Sequence, residues 1–413
     1  MVTLDKNDMV FVDFLREMLG ITKDFSIVEI YKEETPEKVI EIHLKYIPTS
    51  YKKENVSYKL YDFTPQRKWQ HLSWFDYKCY IVCQLPRYID KEGKPKIIDI
   101  SFAPKGKGYT HLFAEHIIKS LQIVRVQKTV SDLYQTSPYI VRSIMNDAVE
   151  KALSLRGEIN GFENISIDEK AYTKGHKYSS ILIDSDKDYV IELIEGRKEK
   201  NVRALFFSIN SQEQQPQIKR VNMDMWKPFM KVIKDIAPNA IIVHDKFHLF
   251  KKLSEAIDKT RKKEVKENEL LKKHKYTVLK NKENRTEKQK IAFEEIDKAN
   301  LNTAKAWHIR ENFKTLFNIE NKHQIEQLFE EWMTHSKQVG IKYVNTVIAT
   351  FERHKQGILN AFKTRTDSGK HENLNGRIQS VLAKARGFLN FDRFRINVLF
   401  YFGKLELLPQ KFY

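Results

Sequence analysis

The chain has 413 residues and a formal net charge of +18, with a pI near 9.4. That length allows two or three domains with sizeable cores, and 12% aromatic residues exclude a disordered basic tail. So large a positive surplus makes nucleic acid the leading partner, ahead of an anionic membrane or an acidic protein.

The opening stretch, MVTLDKNDMVFVDFLREMLG, carries Asp5, Asp8, Asp13 and Glu17, which is unlike a signal peptide. No run of eighteen apolar residues follows, so no membrane span and no membrane partner are expected. Residues 1–65 carry no assignable role. Residues 66–112 read as a small β module, and strand-like runs such as KVIEIHLKYI and YKCYIVCQL fall on both sides of the boundary at 65. The second run holds the chain's two cysteines, Cys79 and Cys83, four apart on one strand face. A thiolate-only zinc site needs four ligands, so these two read as small core residues. Two cysteines cannot staple a chain of this length, and they fit a reducing, cytoplasmic setting.

Residues 113–156 turn helical. A short helix over 128–134, the turn QTS and a second helix starting at Pro138 fit a helix-turn-helix. Its second helix would offer Tyr139, Arg142 and Asn146 to DNA, although an ordinary helical hairpin fits the same pattern. Residues 161–250 follow with NISIDE (164–169), KYSSILID (177–184) and YVIELIEG (189–196) as strands. A helix in KEKNVRALFFSI, a strand over 218–224, a helix in WKPFMKVIKDIA and a strand over 239–245 complete the order β-β-β-α-β-α-β. The fold class is α/β, a mixed sheet with an antiparallel edge, and this order matches the ribonuclease-H-like arrangement.

From 251 to 365 the chain reads as a basic helical insertion. Residues 246–290 hold 16 Lys and Arg against 7 Asp and Glu. Lys251, Lys252, Arg261, Lys262 and Lys263 would suit phosphate contacts that read no sequence, although such a run also fits a solvated helix face. Residues 366–405 end the chain's helical part with SGKHENLNGRIQSVLAKARGF, where Glu372 opens a basic helix that also carries Arg377, Lys384 and Arg386.

Two divalent cations about 3.5–4 Å apart need carboxylates converging from separate elements. Asp168 closing the first strand, Asp224 closing the fourth and Glu372 on a late helix stand where such a sheet would require them. Each acid has a plainer role open to it. Asp168 could be a strand-end acid, Asp224 and Asp245 could cap the helices after them, and Glu372 could be a first-turn acid. Trp226 and Phe229 could stack on an unpaired base, with core packing the plainer reading.

The segments IDEKAYTKGHKYSSILID, NMDMWKPFMKVIKDIAPNAIIVHDKFHLFKKLSEAID and HENLNGRIQSVLAKARGFLNFDRFRINVLFYFGK closely resemble bacterial insertion-sequence transposases of the ISL-three group. The resemblance implies a DDE catalytic domain with Asp168, Asp224 and Glu372 as catalytic and metal-binding acids, Asn375 beside them, and two Mg²⁺ or Mn²⁺ ions as cofactors. It also implies a helical insertion between the second Asp and the Glu, and a zinc ribbon ahead of the helix-turn-helix. Asp90 and other charged residues stand where that ribbon's thiolates belong, so the module reads as degenerate and zinc is doubtful. The partners implied are double-stranded DNA, as terminal inverted repeats and as target, and further copies of the chain. A nuclease or resolvase that cuts without joining, and an inactive DNA-binding derivative, remain open beside that reading.

Overall fold

A computed structural model describes residues 9–156, 161–173, 177–209, 217–364, 368–384 and 387–408; the side chains at 9, 209, 368–373, 375 and 384 are also outside the description. The chain divides into two compact units, Met1–Leu155 with Leu405–Tyr413, and Arg156–Lys404.

The first unit opens with α1 (Met9–Met18), then β1 (Phe25–Glu33), β2 (Val39–Tyr46), β3 (Ser50–Lys53) and β4 (Val56–Phe63). It continues through β5 (Arg67–Trp74), β6 (Tyr77–Cys83), β7 (Pro86–Ile89) and β8 (Pro95–Ile97). Two four-stranded sheets form, in the orders β1-β2-β6-β5 and β3-β4-β7-β8. β2 pairs in parallel with β6 and β4 antiparallel with β7, so hydrogen bonding runs straight across residue 65. One core, from Leu15 to Ala103, likewise spans that position. The boundary drawn there from sequence is not a packing boundary, because the strands on either side need each other's edges. Cys79 and Cys83 lie in this core, and burial pushes both thiols up to about 12. They pack there as small apolar side chains. Helices α2 (His111–Val124), α3 (Gln127–Leu133) and α4 (Pro138–Leu155) close the unit. The last two stand close to the predicted pair.

The second unit begins with β9 (Asn164–Thr173), β10 (Lys177–Asp184), β11 (Tyr189–Glu195), α5 (Glu199–Ile209), β12 (Arg220–Met223), α6 (Lys227–Ile236) and β13 (Ile241–His244). The elements thus run β-β-β-α-β-α-β, and the sheet order is β11-β10-β9-β12-β13. β10 is antiparallel to both neighbours, while β12 is parallel to β9 and to β13. Ile165 and Ile167 on β9 and Val221 and Met223 on β12 are buried with residues of α5 and α6. Each such side chain contributes roughly 1.5–3 kcal/mol of hydrophobic stabilisation. Because strand side chains alternate, these apolar positions commit Ser166, Asp168, Asn222 and Asp224 to the opposite face. β9 runs on to Thr173, so Asp168 lies mid-strand and does not close it. The cause is β10, which pairs with β9 as far as Thr173.

Then come α7 (Lys246–Glu264), α8 (Lys275–Leu279), α9 (Glu287–Lys298), α10 (Asn302–Leu316), α11 (Ile325–Gln338), α12 (Lys342–Arg353), α13 (Lys355–Thr364), α14 (Ser368–Lys384) and α15 (Phe391–Phe402). A second core of this unit is built from α7 to α13 around Phe313, Phe329, Phe351 and Phe362. α15 is clipped to β11 by Arg395, whose guanidinium donates to both carboxylate oxygens of the buried Glu192.

Candidate active site

The strand register decides where the acids fall. Met223 is the last paired residue of β12, opposite Ile167 of β9 on one side and His244 of β13 on the other. The next residue on each chain path is an aspartate, so Asp168, Asp224 and Asp245 stand in line along one edge of three parallel neighbours. In open α/β sheets this carboxyl edge is where ligands gather.

His248, the third residue of α7, stands between the first two acids. Its Nδ1 is 3.3 Å from Asp224 Oδ2 and its Nε2 is 3.9 Å from Asp168 Oδ1. Lys170 lies two residues further along β9 on the same face, with Nζ 2.9 Å from Asp168 Oδ2. Asp168 is 11% exposed in its side chain, so its charge is both enclosed and compensated. Burial acts to raise the pKa of Asp224, but the hydrogen bond and charge of His248, with help from the Met225 amide and Lys252, hold it at about 2. Burial likewise opposes charge on His248, yet Asp224, Asp168 and Asp245 together raise its pKa above the ordinary 6.5. Asp245 is pushed upward, first by burial and then by the neighbouring Asp168 and Asp224.

The capping alternatives separate cleanly. Asp245 is the N-cap of α7 and accepts from the Phe247 amide at 2.8 Å. Asp224 does not cap α6: the N-cap is Trp226, without a side-chain cap bond, and the backbone amide that donates to Asp224 is that of its neighbour Met225. The sequence reading missed His248 and Lys170. The signal present was a histidine three residues after a capping aspartate, which aims the ring back over the strand ends.

Glu372 falls within α14, but in its second turn, because the helix already begins at Ser368. Its side chain, like those of Asn375 and Lys384, lies outside the described residues, as does all of Arg386. Among the described residues, no group of three His, Cys, Asp or Glu side chains is arranged to hold a metal ion. Asp168 and Asp224 offer the all-oxygen donors that hard divalent cations take.

A family model described as "Transposase", for the ISL-three DDE group, matches residues 165–398, more than half the chain and all of the acid-bearing region. The chain belongs to this transposase family. It is also similar to the transposase for insertion sequence element IS1001 of Bordetella parapertussis, at 23% identity over 93% of this chain and 97% of that one. The transposase for insertion sequence element IS1557 of Mycobacterium tuberculosis is 22% identical over 78% of each chain.

The residues expected to touch DNA are scattered over this transposase. On α4, Tyr139 is exposed, while Arg142 and Asn146 are half-buried. On α7, Lys251, Lys262 and Lys263 are exposed and Lys252 is half-buried. Arg261 is not presented outward as expected: it donates twice to Asp258 and its side chain is 12% exposed. Asp258 also holds Lys262 at 2.9 Å. Arg377 is half-exposed, its guanidinium 5.2 Å from the Phe402 ring of α15 and 3.9 Å from Asp188. An aromatic ring and a carboxylate within reach are better partners for a guanidinium than open water. No described helix is long and apolar enough to cross a membrane.

Proposed function

We propose that this chain cuts DNA at the ends of an insertion sequence and joins those ends to a target, through a ribonuclease-H-like domain whose acidic triad is Asp168, Asp224 and Glu372. The observation that carries the reading is the alignment of Asp168 and Asp224 on adjacent parallel strands, both against the single imidazole of His248. Two Mg²⁺ or Mn²⁺ ions held by these acids would supply an activated water or 3′-hydroxyl and would stabilise the leaving oxygen.

The chain's own residues do the rest. Asp224 is fully ionised at neutral pH, so it needs no proton removed before it ligates. Asp168, flanked by the Lys170 ammonium and the His248 ring, is oriented by both and takes the central position. In this reading α3 and α4 act as the helix-turn-helix, with Tyr139, Arg142 and Asn146 reading the element's end. Lys251, Lys252, Lys262 and Lys263 neutralise backbone phosphate, and Lys384 and Arg386 are read as further phosphate contacts from the late basic segment. Further copies of the chain would pair the two ends.

Asp168→Asn is expected to abolish Mg²⁺-dependent cleavage of element ends while DNA binding persists in a mobility-shift assay. Cleavage at the wild-type rate would refute the assignment. Pre-cleaved ends incubated with a target duplex should yield joined product; cutting without joining would leave the nuclease reading in its place.

A further inference from the structure

Trp226 and Phe229 lie on one helix start, yet they have different fates. Phe229 is buried in the sheet's core at 1% exposure, whereas Trp226 is 39% exposed. Core packing therefore accounts for the first and leaves the second unexplained. An exposed large aromatic beside a charged site is the informative kind of exposure.

Trp226 is held rigidly. Its ring lies 5.0 Å from the Arg197 guanidinium, whose centre is 4.0 Å from the Tyr178 ring. The indole N–H donates to the Arg197 carbonyl at 3.3 Å, and Glu169 fixes the guanidinium with both carboxylate oxygens at 3.0 and 3.1 Å. Arg197 is thus neutralised and sandwiched, so it buttresses the indole and is poorly placed to bind phosphate itself.

The stack adjoins the acid pair along two segments of the chain. Glu169 follows Asp168 directly on β9, and Trp226 is two residues past Asp224. Two residues span at most roughly 7 Å, comparable to about two nucleotides of strand rise. Asp168 and Glu169 point to opposite faces, so a strand held at the acids would pass its neighbouring nucleotide over the edge toward the indole. A paired base cannot make that turn, but an unpaired one can.

We propose that Trp226 is a stacking platform for an unpaired base one or two nucleotides from the phosphate at Asp168 and Asp224, with Arg197, Tyr178 and Glu169 as its positioning residues. The inference rests on the proposed reading in taking DNA as the substrate and Asp168 and Asp224 as the place where its strand is held. Stacking on an aromatic ring tolerates any base, so the element's terminal sequence is not needed for the test.

The test uses the full-length chain carrying Asp168→Asn, in metal-free buffer. Its probes are a blunt duplex and the same duplex with a short unpaired 3′ tail. The tailed duplex is expected to bind roughly tenfold tighter. Trp226→Ala should erase that preference and leave blunt-duplex affinity unchanged, while Trp226→Phe keeps most of it. No preference in the parent chain, a preference that survives Trp226→Ala, or an equal loss on both probes would each overturn the proposal; the last would mark a merely structural tryptophan. Cleavage by Asp168→Asn in Mg²⁺ would defeat the catalytic assignment without touching this binding result.

Discussion

His248 is the residue whose surroundings carry the most consequence, because one ring stands between two acids and is the charge partner of Asp224. The sign of its effect on stability follows from the two shifts. Asp224 has its pKa depressed from 3.8 to about 2, so its contribution is present above about pH 4 and lost as pH falls toward 2. His248 is raised above 6.5, so its contribution is complete below that value and lost as pH rises through the raised pKa. The attraction is greatest on the plateau between, where it is worth on the order of 1–2 kcal/mol after discounting for the partly exposed Asp224. His248→Ala should therefore lower the melting temperature most at about pH 5.5 and progressively less toward about pH 9 in chelator-containing buffer, flattening the profile. A pH-independent loss would mean that the ring acts by packing alone.

At the scale of elements, α13 is seated on the edge strand β13 by two interactions that leave no slack. Asn360 donates to the Ile242 carbonyl at 2.8 Å, satisfying an edge group that would otherwise be open. A Cβ at Gly357 would lie 2.4 Å from Cδ2 and 2.6 Å from Nε2 of His244. That histidine cannot move aside: it is 2% exposed, edge-on to His354 at 5.1 Å, and burial holds its pKa down to about 4. Gly357→Ala should cost about 1–3 kcal/mol by overpacking, seen as a lower melting temperature with the net charge unchanged. Gly357→Ala at wild-type stability would show that α13 can lift off without penalty. Local pattern made the strands and helices from β9 to α7 legible, since alternation and apolar periodicity there agree with the pairing that forms. The same pattern could not give the first unit's two sheets, because β2 and β6 meet in parallel with three other strands between them in the chain, and nothing local records that register. Asp168 was found but placed at a strand end, since NISIDE loses its apolar alternation before the strand itself stops. His248 went unread because its value comes from two acids distant in sequence.

For the whole molecule, net charge overstates what is available to DNA. Arg261 is folded onto Asp258, with its side chain 12% exposed. Arg285 is 7% exposed and packed on the rings of Phe293 and Trp307, where burial lowers its pKa to about 10. A count of cations along 246–290 treats these as equal to Lys251 and Lys263, which are exposed. The distinction is measurable, because removing one phosphate-bound cation lowers the slope of log affinity against log salt by about 0.9. Lys251→Ala and Lys263→Ala together should reduce the slope by roughly two and weaken all duplexes alike, since phosphate binding carries no sequence information. Arg261→Ala should leave the slope nearly unchanged while lowering stability through the charge it leaves on Asp258. If Arg261→Ala instead reduced the slope as much as either lysine does, its guanidinium would have to leave Asp258 on binding DNA, and the basic face of α7 would be assembled by the nucleic acid rather than already present.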